Sequence, residues 1–156
     1  MDRLEFEREA QALLPTLYRI AISIVRSDAD ARDAAQQALL KAWEKREQIK
    51  SETFRAYLCR IVVNESRNVQ RHRMRVFPSD LPPMPEKTPP DYRELYEALQ
   101  KLPEHLRLCV VLKYLQDLSE KEAAQALGIP VTTFKTRLFR ARKMLKTLLD
   151  REVTFE

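Results

Sequence analysis

GIPVTTFKTRLFRARKML, residues 128–145, opens with the only glycine of the chain and carries Lys135, Arg137, Arg140, Arg142 and Lys143 without one acid. From Val131 to Leu149 there are six Lys or Arg and no Asp or Glu. Within it Phe134, Leu138, Ala141 and Leu145 recur at spacings of four, three and four, which predicts an amphipathic helix with its apolar face turned to a core. An ordinary solvated helix gains from acid-base pairs at i, i+4, and this one forgoes them within itself. The repulsion is tolerable where a polyanion supplies the counter-charge.

Just upstream, Ser119 and Glu122 form an S-x-x-E capping box, so a short helix is expected through Leu127. Gly128 suits the left-handed residue at its end, and Pro130 precedes the basic helix. Short helix, three-residue turn with glycine and long helix is the helix-turn-helix pattern. Residues early in such a second helix reach base edges in the major groove, which nominates Thr132, Lys135, Thr136, Phe139 and Arg140, flanked by Thr133, Arg137 and Lys143. Lysine and arginine bond guanine edges, and threonine and phenylalanine touch the thymine methyl. About four to six phosphate contacts alone give non-specific affinity near ~10⁻⁴ to 10⁻⁶ M.

The rest of the chain fits an all-α protein of two small domains. Six of the nine prolines fall in VFPSDLPPMPEKTPP, residues 76–90, which predicts a stiff linker that holds its flanks apart. Domains are expected at residues 1–75 and 91–153. In the first, Leu14, Leu17, Tyr18, Ala21, Ile24 and Val25, then Ala31, Ala34, Ala35, Ala38, Leu39 and Ala42, mark two amphipathic helices. Pro15 is expected to start or kink the first, and Asp28 or Asp30 to cap the second. A third opens near Ser51 or Thr53 and buries Phe54, Leu58, Ile61 and Val62. Between Arg55 and Arg75 it carries six arginines against Glu65, a composition suited to tracking a single strand. In the second half Tyr92, Leu95, Tyr96 and Leu99 form one stripe, and Pro103 is expected to open a helix through LPEHLRLCVVLKYL.

Net charge is +5 over 156 residues, which permits polyanionic partners without specifying one. Cys59 and Cys109 have no metal-ligand spacing and read as buried hydrophobes; His72 and His105 read as surface residues. No metal or other cofactor and no small-molecule substrate is expected, since the chain has no glycine-rich phosphate loop, H-E-x-x-H or nucleophile elbow, and this argues against an enzyme. There is no signal-peptide core and no run long enough to span a membrane, so membrane insertion is not expected and a cytoplasmic location is.

LQKLPEHLRLCVVLKYLQDLSEKEAAQALGIPVTTFKTRLFRARKML, residues 99–145, resembles region 4 of the extracytoplasmic-function (ECF, group IV) sigma factors of bacterial RNA polymerase. The resemblance rests on the LPE opening, the D-L-S before the capping box and the K-T-R-L-x-R-A-R core. DADARDAAQQALLKAW, 28–43, and FRAYLCRIVVNESRNVQRHR, 54–73, resemble region 2 of the same family.

The resemblance implies that the first half binds core RNA polymerase through Asp30, Asp33, Gln36, Leu40 and Trp43. It also implies capture of a melted minus-10-type element by Asn64, with Gln48, Ile49, Lys50 and Ser51 completing the pocket and Arg60, Arg67, Asn68 and Arg71 along the strand. The second half would read a minus-35-type element as duplex, and an anti-sigma factor would hold the protein inactive. Asn64 as a plain surface amide and Trp43 as a core anchor stay open. The alternatives to an initiation factor are a stand-alone helix-turn-helix regulator, which leaves the basic third helix without a purpose, and a sigma-like decoy, which has no need of the acid-free helix.

Overall fold

The computed structural model describes residues 1–76 and 93–149, and every regular element among them is helical. The proline-rich stretch, but for Val76, and Tyr92 of the predicted stripe lie outside the described residues.

Three helices make the first half: α1 (Arg3–Val25), α2 (Asp28–Glu44) and α3 (Phe54–Val76). Asp2 caps α1 by accepting from the Glu5 amide at 2.8 Å. Pro15 neither starts nor ends this helix but sits inside it on an exposed position. The Gln11 carbonyl that loses its usual donor there also belongs to an exposed residue, so the lost bond falls on the solvent side. The cap of α2 is Ser27, whose hydroxyl accepts from the Asp30 amide at 3.4 Å; Asp28 and Asp30, the expected caps, occupy the first turn. There their charge favours the helix dipole.

Leu17, Ile20, Ile24, Phe54, Leu58 and Val62 are buried and form the centre of this half. Ala31, Ala34, Ala35, Ala38 and Ala42 give α2 a buried face of methyl groups, letting its backbone approach α1 and α3 closely. Phe6 meets Trp43 and Phe54 edge to face at 5.2 and 5.3 Å. Ile61 is only partly buried.

The second half contains α4 (Arg93–Lys101), α5 (Glu104–Val110), α6 (Glu120–Leu127) and α7 (Val131–Leu149). Pro103 is the N-cap of α5 and not its first helical residue. The single helix expected after it breaks at Val110 into a widened π turn, Val111–Leu115, closed by the Gln116 amide on the Val111 carbonyl at 2.9 Å. Asp117 follows with φ 55°, redirecting the chain into α6. The Ser119–Glu122 capping box forms in both directions, at 3.0 and 3.1 Å. Gly128 adopts φ 68°, and its amide and that of Ile129 close a Schellman motif on Gln125 and Ala124 at 3.1 and 3.0 Å. Phe134, Leu138, Ala141, Leu145 and Leu149 are buried in α7, which packs on α4, α5 and α6.

The two halves are not held apart. α6 lies against α3, and α1 touches α5 and its π turn. The Arg55 guanidinium donates to the carbonyls of Gln116 and Asp117 at 2.9 and 3.2 Å, and Arg67 pairs with Glu104 at 2.8 Å. Carbonyls freed where the π turn ends are thus satisfied from the other half. Proline content governs the stiffness of a connection; whether its flanks adhere depends on the surfaces they present.

Candidate nucleic-acid interface

The capping box fixes where α6 starts, the left-handed glycine where it stops, and four buried apolar side chains how α7 is rotated. Thr132, Lys135, Thr136, Phe139, Arg140 and Lys143 consequently share the exposed face of α7, continued by Lys146. Phe139 is 55% exposed, a large cost for an aromatic ring without a partner, and Lys143 Nζ stands 4.9 Å from its centroid. The Thr136 hydroxyl donates back to the Thr132 carbonyl at 3.1 Å. One charge finds an acid outside the helix: Lys135 approaches Glu120 of α6 at 3.8 Å. Thr133 and Arg137 are half-buried at the flank. Arg137 faces Cys109, whose thiol burial pushes up to about 11 while the arginine pulls it down.

A second basic surface runs along α3. Arg60, Asn64, Arg67, Asn68 and Arg71 recur at helical spacing, and all but half-buried Arg67 are exposed. Glu65, the lone acid, is bound to Lys41 of α2. Of the arginines, Arg67 already has work inside the protein, and exposed Arg60 lies near the turn of the other half. Arg67 is held by Glu104, and the Arg60 guanidinium lies over Gly128, its Nη2 3.4 Å from where a Cβ would stand.

In the loop before α3, Gln48 and Lys50 are exposed, but Ile49 is only 8% accessible and belongs to the core, so it is corrected from a contact to an anchor. Ser51 donates its hydroxyl to Glu5. Asn64 stands ten residues beyond Phe54, about 15 Å of helical rise.

On α2, Asp33, Gln36 and Leu40 share an exposed face, with Leu40 55% accessible. Asp30 differs: it is half-buried in an ion pair with Arg73. Trp43 packs on Phe6, as a core anchor does, and lines a surface groove together with Ala10, Leu14 and Leu39. Arg46 stacks over its ring at 3.8 Å. That groove was missed in the sequence, because its residues come from two helices and no spacing within either marks it. No helix among the described residues is long and apolar enough to cross a membrane. No group of three or more His, Cys, Asp or Glu among them is arranged to hold a metal ion.

Comparison with known proteins gives both halves a relation. The family described as Sigma-70 region 2 matches residues 10–76, and Sigma-70, region 4 matches residues 92–145. RNA polymerase sigma factor SigV of Bacillus subtilis is 30% identical over 141 residues, covering 86% of this chain and 85% of that one. The ECF RNA polymerase sigma factor SigM of the same organism is 28% identical, covering 94% and 96%. Among solved structures, the sigma factor RpoE of Bartonella quintana, crystallised with the anti-sigma factor NepR, superposes with a TM-score of 0.79 at 29% identity, covering 96% and 99%.

Proposed function

Because the chain belongs to the ECF family of RNA polymerase sigma factors, we propose that it binds core RNA polymerase and directs promoter-specific initiation of transcription. The observation that carries this is the face of α7: an acid-free row of exposed basic, hydroxyl and aromatic side chains, aimed by a capped helix and a glycine turn. Such a row suits the major groove of a minus-35-type duplex, with Lys135, Arg140 and Phe139 for base edges and Lys143 and Lys146 for phosphates. Residues 91–153 form the duplex-reading domain in this proposal and residues 1–75 the domain for polymerase and melted strand.

Along α3, Arg60, Asn64, Asn68 and Arg71 are the residues ready to meet a melted minus-10-type strand, while Arg67 becomes available when the halves part. The polymerase contact is Asp33, Gln36 and Leu40 of α2 with the exposed side of Trp43. An anti-sigma factor is the partner that keeps the protein from polymerase, a reading supported by the Bartonella quintana relative bound to one. The protein acts in the cytoplasm, as a non-enzymatic initiation factor.

Run-off transcription tests the proposal. Core polymerase plus this protein should start RNA synthesis on a subset of genomic fragments that core alone leaves silent. Tight binding of duplex without any transcript would favour a stand-alone regulator instead.

A further inference from the structure

Where the two halves meet, a cleft of about 160 Å³ is lined by Arg26, Gln70, Arg73, Gln100 and Arg107, over an apolar floor. Three guanidinium groups thus converge on one small space. Arg107 is only 7% accessible; its Nη1 donates to the Leu102 carbonyl at 3.3 Å and its Nε has no partner. Arg26 Nε is likewise buried without an acceptor. Of the acids nearby, Glu104 holds Arg67, and Asp30 pairs with Arg73 from one side of the cleft.

Burying a guanidinium without an anion costs several kcal/mol of lost hydration. Burial holds Arg107 below its ordinary pKa, Glu104 opposing this and Arg26 reinforcing it. A neighbouring phenol, Tyr96, has its hydroxyl buried beside Arg26, and burial raises its pKa while the Arg26 guanidinium, by charge and hydrogen bonding, and then Arg107 lower it. The backbone contributes as well. Arg26 takes φ 57° at the end of α1, a conformation disfavoured for a side chain of its size, and this turn sets its side chain on the cleft.

We propose that this cleft binds a small oxyanion of the phosphate class, free or carried on a nucleotide, gripped by Arg26, Arg73 and Arg107. Planar forks of N–H donors match phosphate oxygens two at a time, and the amides of Gln70 and Gln100 border the same space. Arg26, Gln70 and Arg73 come from the first half, Gln100 and Arg107 from the second, so the anion bridges the halves and stabilises their packed arrangement. The residues involved are distinct from those of α7 and from Asn64, Asn68 and Arg71.

The test is thermal unfolding of the full chain at constant ionic strength, titrated with inorganic phosphate, pyrophosphate, a nucleoside diphosphate or sodium chloride. A saturable rise in midpoint with the phosphate species and none with chloride is expected. Equal strength for free phosphate and the nucleotide identifies the free ion as ligand, and a stronger nucleotide identifies the carried form; both uphold the site. Arg26→Gln, at a half-exposed position, should weaken binding by about tenfold. Arg73→Gln is the second variant if the first fails to fold. Arg140→Ala on α7 should leave phosphate binding unchanged. The proposal falls if chloride stabilises as well as phosphate, if both cleft variants bind as the parent does, or if the loss appears in Arg140→Ala.

Discussion

Arg140 and Lys146 both stand on the exposed side of α7, yet they are placed for different work. Arg140 lies at the middle of the helix, one turn on from Thr136, where base edges come within reach, and Lys146 lies in the last turn, farthest from the glycine turn. Arg140→Ala should therefore cost about 1–3 kcal/mol on a specific duplex and relax preference at one base pair, whereas Lys146→Ala should weaken all duplexes alike and lower the salt slope by about 1. Fluorescence anisotropy on specific and random duplexes across a salt series separates the two; identical behaviour refutes the assignment.

The cysteines make a prediction of another kind. Burial raises Cys59 from an ordinary 9.0 to about 12, and Cys109 to about 11. In the unfolded chain both ionise first as pH rises, so their contribution to stability is intact below about 9 and is lost as pH climbs toward 11 and 12. The unfolding midpoint should drop across that window, less steeply in Cys59→Ala/Cys109→Ala, and iodoacetamide should label the folded protein slowly until it is denatured. Rapid labelling of the native protein contradicts the burial.

At the scale of the element, the turn between α6 and α7 concentrates most of the local specification. Ser119→Ala removes one acceptor of the capping box and should cost ~1 kcal/mol in urea unfolding. Gly128→Ala should cost more, about 1–2 kcal/mol, since φ 68° is disfavoured once a Cβ is present. The new methyl would also press on the Arg60 guanidinium at 3.4 Å, which a flexible side chain absorbs with a small shift. Both elements were legible beforehand, because caps and left-handed glycines act through bonds among residues close in sequence. The π turn at Val111–Leu115 was not, because it depends on Arg55 arriving from 61 residues away to take up the Gln116 carbonyl.

For the whole molecule, the packed arrangement sets a condition on function. Arg67 is held by Glu104 at 2.8 Å between the halves, both partners being about 30% accessible, so the pair is worth more than a surface bridge and less than a buried one. Glu104→Gln should loosen the halves and free Arg67. The expected outcome is a larger radius of gyration in small-angle scattering and several-fold tighter binding of a single-stranded oligonucleotide. If both stay as in the parent, the pair does not govern the arrangement.

Helical class, the order of the helices, the apolar face of α7 and its acid-free opposite face followed from sequence alone, since periodicity, capping and the counting of charges involve neighbours along one chain. The family resemblance was readable for the same reason: its motifs are short runs of residues adjacent along the chain. Tertiary structure alone decided which charges remain free. Arg55 and Arg67 are spent on the other half and Asp30 on Arg73, Ile49 sits in the core, and Arg26 and Arg107 converge from separate halves on one cleft. An ion pair or a cavity is a property of distances between residues far apart in the chain, and those distances exist only once the helices have packed.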